Sequence, residues 1–139
     1  MKLPADVTAA LRSARVIAVV GLSSHPVRPS FGVARYLQSH GFRILPVNPH
    51  ETTVLGEAAY ADLDSASAAA PIDVVDVFRR SEFVPEVAAA AIRIGAKMLW
   101  LQEGVSHPAA EAAARTAGLL VVADRCLLKE HARLPRGGN

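Results

Sequence analysis

Small and polar residues follow the apolar runs of this chain, at the points where those runs end. Gly21, Ser23 and Ser24 come directly after the run 16–20, and Arg79 follows the run 73–78. A glycine turn that leads from a strand into a helix N-terminus directs N–H groups at an anion, and arginine pairs well with phosphate. These residues predict phosphate binding, against the plainer alternatives of a ligand-free turn and a solvent-exposed arginine.

Nucleophilic and metal chemistry have weaker support. Cys126 is the one cysteine of the sequence. A lone cysteine is usually a small buried hydrophobe, and a catalytic thiol needs a base or a cation such as the adjacent Arg125. The five histidines lack the spacing of metal ligands and have no partner cysteines. The sequence therefore predicts no catalytic residue and no metal site.

The elements that position these residues alternate between strand and helix patterns. Apolar, β-branched runs predict strands at about 15–20, 42–48, 73–78, 97–101 and 119–123. Helix patterns lie at about 5–14, 31–40, 61–70, 81–95, 107–117 and 127–133, with Ser30 as the predicted N-cap of the second. This alternation predicts an α/β fold in three layers, a five-stranded parallel sheet with helices on both faces. Such sheets bind ligands at the carboxyl ends of their strands.

Length and composition limit the classes of protein. The 139 residues suffice for one domain, 1–139, with a loose tail at about 135–139. A net charge of +2 with scattered basic residues does not favour nucleic-acid binding. No apolar run reaches the roughly 18 residues of a membrane span, no signal-peptide pattern opens the chain, and one cysteine excludes an internal disulfide. We therefore expect a cytoplasmic globular protein.

NAD is the alternative ligand for the carboxyl edge of the sheet. Its fingerprint is G-x-G-x-x-G, followed about 20 positions later by an acidic residue that binds the ribose hydroxyls. This chain has Gly21 alone, and its second strand ends at Asn48. We interpret Asn48, which precedes Pro49, as either a turn residue or a ligand contact. An NAD(P)-binding oxidoreductase or redox-sensing domain is the second hypothesis.

Six segments point to a known family. They are IAVVGLS at 17–23, RPSFGVA at 28–34, PVNP at 46–49, DVFRR at 76–80, WLQEGV at 100–105 and DRC at 124–126. In this order they resemble the small stand-alone CoA-binding proteins of bacteria and archaea. Those proteins are similar to the CoA-binding N-terminal domain of the succinyl-CoA synthetase alpha subunit. The resemblance extends from about residue 12 to 134 and implies a Rossmann-type fold.

The resemblance also implies a ligand, CoA or acyl-CoA, laid across the C-terminal edge of the sheet. It implies phosphate contacts from Gly21, Ser23, Ser24 and Arg28, adenosine contacts from Val47, Asn48 and Pro49, a cover from Phe78 and Arg79, and pantetheine contacts from Gln102 and Gly104. The synthetase's ligase chemistry lies in other domains, so we expect CoA binding without catalysis. A homo-oligomer or a protein partner stays open, and a plain interaction domain that binds no nucleotide is the third hypothesis.

Overall fold

A computed structural model describes residues 2–135 and contains a central sheet of five parallel strands. The strands of the chain are β1 (Val16–Val20), β2 (Arg43–Val47), β3 (Thr53–Val54), β4 (Glu57–Ala58), β5 (Val74–Val77), β6 (Met98–Leu101) and β7 (Leu120–Val122). The central sheet has the order β2-β1-β5-β6-β7, and all of its pairings are parallel. The predicted five-stranded parallel sheet is confirmed.

Within the described residues, six α-helices cover the two faces of this sheet. They are α1 (Ala5–Ser13), α2 (Pro29–Ser39), α3 (Leu63–Ser67), α4 (Val84–Arg93), α5 (Pro108–Thr116) and α6 (Leu127–Ala132). Apolar residues of α1, α2 and α6 pack with one face, and those of α3, α4 and α5 pack with the other. The central strands are therefore buried on both faces, which explains their unbroken apolar runs.

Strand order reverses between β1 and β5. The chain leaves β1 through α2 on one face and enters β2, then returns through α3 on the other face to reach β5. The helices that follow β1 and β5 therefore diverge to opposite faces. Open α/β sheets carry their ligand crevice at such a switch point, beyond the carboxyl ends of the strands.

Two local details differ from the sequence prediction, and a third lies mostly outside the described residues. The helix predicted from 31 begins at Pro29 with Arg28 as N-cap, because proline suits the first helical position, and Ser30 lies inside the first turn. The segment 53–58, for which no strand was predicted, forms an antiparallel hairpin whose turn places Leu55 and Gly56 at φ 55° and 78°. Of the tail predicted to be loose, 135–139, only Pro135 lies within the described residues.

None of the helices in the part of the chain that the structure describes has the length and apolar character needed to cross a bilayer.

Candidate functional site

The turn after β1 brings three strand ends into close contact. Gly21 has a φ of 87°, and a Cβ atom at this position would collide with the carbonyl oxygen of Phe78 after β5. The Gly21 amide donates to the carbonyl of Val47 at the end of β2, at 2.8 Å. Only glycine combines this backbone conformation with so close an approach. The centre of the carboxyl edge is therefore a compact floor.

Two adjoining cavities lie above this floor. The first, the α3–α4 cavity, has a volume of about 620 Å³ and extends from Pro49 towards α3 and α4. The second, the arginine cavity, has a volume of about 660 Å³ and extends from Arg28 to Gly104. We call the two together the rim cleft. They share four lining residues, Gly21, Asn48, Phe78 and Arg79.

Most of the predicted site residues line the rim cleft. Besides the four shared residues, Val47 and Pro49 line the α3–α4 cavity. The arginine cavity adds Ser23, Arg28, Gln102 and Gly104. Ser24 lines neither cavity. The structure therefore brings ten of the eleven predicted residues together, and their individual contacts with CoA stay predictions.

The amides of the β1–α2 loop already have protein acceptors. The Ser23 amide donates to the Ser30 hydroxyl at 3.1 Å, and the Ser24 amide donates to the Glu51 carboxylate at 2.8 Å. The amide and hydroxyl of Ser24 together hold the pKa of the Glu51 carboxyl below its ordinary value. The His25 amide donates to the Ser23 hydroxyl at 3.0 Å. In this conformation the amides of Ser23, Ser24 and His25 are occupied by protein acceptors. Positive charge for a phosphate must therefore come from neighbouring side chains.

Asn48 ties the loops after β1 and β2 to each other. Its side-chain amide donates to the carbonyl of Leu22 at 3.0 Å, and its side-chain oxygen accepts from the amide of His50 at 2.9 Å. Both polar atoms of the Asn48 side chain thus bond to backbone groups, as expected of a turn residue. Asn48 nevertheless lines both cavities, so it holds the crevice beside Pro49 in shape while facing it.

Gln102 and Gly104 also have partners in the fold. The Gln102 side-chain oxygen accepts from the amide of Leu127 at the start of α6, at 3.0 Å. The Gly104 amide donates to the carboxylate of Asp124 at 2.7 Å. These bonds fix the loops after β6 and β7 against each other. The wall of the arginine cavity is therefore held by polar contacts between strand ends.

Three arginines give the arginine cavity its charge. Arg28, Arg79 and Arg80 line it, and none of them forms an ion pair among residues 2–135. The Arg79 guanidinium carbon lies 4.2 Å from the centre of the Phe83 ring, which holds the cation in place. Glu103 also lines the cavity, but its carboxylate is paired with Lys129 at 3.0 Å. The net positive charge suits an anionic ligand.

The α3–α4 cavity combines an apolar floor with polar residues around it. Buried apolar residues Val20, Val47, Leu63 and Val87 form part of its lining. Around them lie polar residues that the sequence analysis did not select: His50, Asp62, Asp64, Glu86 and Arg93.

Hydrogen bonds fix two of those acids. Asp64 accepts two bonds from Arg93, at 3.0 and 2.7 Å, and this contact lowers the pKa of its carboxyl. Asp62 caps α3 by accepting from the Ser65 amide, and this bond lowers its pKa. Aspartate with a serine three positions later is a capping pattern that could have drawn attention to this segment. The cavity thus offers an apolar floor with hydrogen-bond acceptors at its rim.

Cys126 lies outside the rim cleft. It is 8% exposed and precedes α6, and it lines neither cavity. Its environment fits the interpretation of a small buried hydrophobe. In residues 2–135, no group of three or more His, Cys, Asp or Glu side chains is arranged to hold a metal ion.

Comparison with known proteins identifies the family. Residues 15–132 match a family model described as a CoA binding domain. The uncharacterized protein YneT of Bacillus subtilis is 38% identical over 128 residues, which cover 92% of this chain and 93% of YneT. A Thermus thermophilus structure is 40% identical over 92% of this chain and 96% of its own, with a TM-score of 0.86. A hypothetical protein from Pyrococcus horikoshii is 38% identical over 93% and 89%, with a TM-score of 0.87. The chain belongs to the family of CoA-binding-domain proteins.

Proposed function

We propose that the rim cleft binds CoA or acyl-CoA, without catalysing a reaction of its own. The observation that carries this proposal is the change in character along one groove. The groove has an apolar floor beside Pro49, arginines at its centre that form no ion pair within residues 2–135, and a wall of polar loops beside Gly104. CoA presents its parts in the same order: an adenine base, phosphates and an uncharged pantetheine arm.

From the linings of the two cavities we infer which residues bind each of these parts. Adenine packs on Val47 and Pro49 in the α3–α4 cavity, and the pantetheine follows the wall near Gly104. Because the amides of the β1–α2 loop have protein acceptors, the phosphates are bound mainly by Arg28, Arg79 and Arg80. The N-terminal end of α2, where Pro29 and Ser30 line the arginine cavity, adds a second source of positive potential. This arrangement needs no movement of the loop that Glu51 and Asn48 hold.

A ligand panel tests the proposal. We expect CoA and acetyl-CoA to raise the melting temperature of the full chain, since a ligand that binds only the folded state stabilises it by mass action. NAD, NADP and ATP serve as competitors with related parts. Calorimetry then gives the affinity. Absence of any heat with CoA at millimolar concentration, on folded protein, would exclude the proposal, and a selective response to NAD or NADP would favour the oxidoreductase hypothesis.

A matched pair of variants tests the placement of the phosphates. Arg79→Gln removes a cation from the centre of the rim cleft, and we expect CoA to bind it roughly tenfold or more weakly. Arg115→Gln removes the same charge from an exposed position on α5, outside the rim cleft. It is expected to bind CoA as the wild type does. Equal affinities of both variants would show that Arg79 does not contact the phosphates.

A further inference from the structure

A separate cavity lies at the opposite edge of the sheet. Its volume is about 400 Å³, and it is lined by residues that precede β1 and β2 and by the C-terminal part of α6. We call it the lower-edge cavity. The length of β1, five residues or about 16 Å, separates it from the rim cleft. It shares no lining residue with that cleft.

The lining of the lower-edge cavity combines basic side chains with an apolar floor. Four basic side chains line it, and among the described residues no acidic side chain does: Arg12, Arg15, His40 and His131. The floor includes Leu11, which is 1% exposed, and the ring of Phe42. A pocket with this composition disfavours a bare cation and offers apolar contact as well as charge.

Both arginines are held in place by backbone carbonyls. An Arg12 Nη donates to the carbonyl of Pro135 at 3.0 Å. An Arg15 Nη donates to the carbonyls of Ser13 and Ala14, at 3.3 and 3.1 Å. Neither arginine forms an ion pair within residues 2–135. A guanidinium has five N–H donors, so most donors of each side chain are available at a fixed position.

The two histidines belong to an aromatic cluster between α2 and α6. His40 Nδ1 lies 2.8 Å from the carbonyl of Tyr36, and His131 Nδ1 lies 2.9 Å from the Tyr36 hydroxyl. The two imidazole rings are 5.7 Å apart. Burial, and secondarily His40, lowers the pKa of His131. The one acid close by on α6, Glu130, is paired with Arg133 and Arg125, at 2.9 and 3.6 Å. Positive charge in this region therefore lacks a carboxylate counterpart inside the cavity.

We propose that the lower-edge cavity is a second ligand site, which binds a small organic oxyanion with an apolar body. The phosphate or carboxylate group pairs with Arg12 and Arg15, and the apolar body packs on Leu11 and Phe42. A cavity of about 400 Å³ is too small for a polyanion such as a nucleic acid, in agreement with the net charge of only +2. The proposal does not depend on what the rim cleft binds.

Titration with phenyl phosphate tests this site. We expect saturable shifts of the amide NMR signals of Gly41 and Phe42 when phenyl phosphate is added to the full chain saturated with CoA. Phenol lacks the anion and inorganic phosphate lacks the apolar body, and both are expected to bind several-fold more weakly. The same titration without CoA shows whether phenyl phosphate binds here or in the rim cleft. A ligand confined to the rim cleft would compete with CoA and would leave the signals of Gly41 and Phe42 unmoved.

Variants complete the test. Arg12→Gln and Arg15→Gln, each checked for folding by circular dichroism, are expected to weaken phenyl phosphate binding several-fold. Arg115→Gln on α5 carries the same charge change away from the cavity and is expected to bind like the wild type. The proposal is wrong if the signals of Gly41 and Phe42 show no saturable shift, or if all three variants bind phenyl phosphate equally.

Discussion

Replacing Asp76 by asparagine should stabilise this protein, and increasingly so as the pH rises. Asp76 lies in β5 at the centre of the sheet, opposite Val19 of β1 and Trp100 of β6. It is 0% exposed, and neither carboxyl oxygen has a hydrogen-bond partner among residues 2–135. Burial raises the pKa of this carboxyl well above its ordinary value, because a charge there is poorly solvated. The folded protein therefore keeps a proton that the unfolded chain releases.

The size of the effect follows from proton linkage. An unfolded aspartate loses its proton near pH 4, while folded Asp76 keeps it until its own higher pKa is reached. Between those two values each pH unit costs the folded state about 1.4 kcal/mol. The total cost grows with pH until the pKa of the folded state is reached. Asp76→Asn keeps the shape and polarity of the side chain and removes this cost.

Urea unfolding at several pH values measures the difference. Trp100 is the single tryptophan and is fully buried, so its fluorescence reports unfolding. We expect the free energy of unfolding of Asp76→Asn to exceed that of the wild type by an amount that grows from pH 5 towards pH 8. Asp76→Val should show the same slope with a constant offset. Parallel curves for wild type and Asp76→Asn would mean that the carboxyl is ionised or partnered inside the fold.

Three other variants and one control test the structure. Gly21→Ala places a Cβ against the Phe78 carbonyl at φ 87°, so it should lower the unfolding free energy by about 1–3 kcal/mol and weaken CoA binding. Gly32→Ala, inside α2 with no atom within 4 Å of a Cβ, is the control and should be neutral or stabilising in the same urea assay. Asn48→Ala removes two hydrogen bonds and should cost about 1–2 kcal/mol, with weaker CoA binding by calorimetry. The pKa of His131 is lowered in the folded state, so the fold favours the neutral ring. As the pH falls below about 6.5, the unfolded chain takes up a proton first and the free energy of unfolding decreases. His131→Phe should therefore lose less unfolding free energy than the wild type between pH 7 and pH 5.

The sheet could be predicted because each strand carries its own signal. Val16–Val20 and Val74–Val77 are β-branched runs buried on both faces, and such runs need no knowledge of distant residues to be found. The carboxyl edge then follows from the parallel order. For the same reason ten of the eleven residues that the sequence analysis selected line the rim cleft, most of them at or directly after strand ends.

The remaining features depend on contacts between distant residues. The Ser24 amide, in the loop predicted to bind phosphate, donates to the carboxylate of Glu51. Glu51 lies 27 positions later in the sequence, so no local pattern indicates this contact. The acids of the α3–α4 cavity come from helices on the far side of the cleft, and no strand end marks them. The hairpin at 53–58 has strands of two residues, too short to show an alternating pattern. Gly56 in its turn was the one local signal.

Helix α2 has a consequence for both cavities. Its first residues, Pro29 and Ser30, form part of the wall of the arginine cavity, and His40, directly after its last turn, lines the lower-edge cavity. The eleven residues of α2 form a rod of about 16 Å. A rod transmits an axial shift undiminished from one end to the other. A substitution that moves α2 along its axis would therefore change the walls of both cavities together.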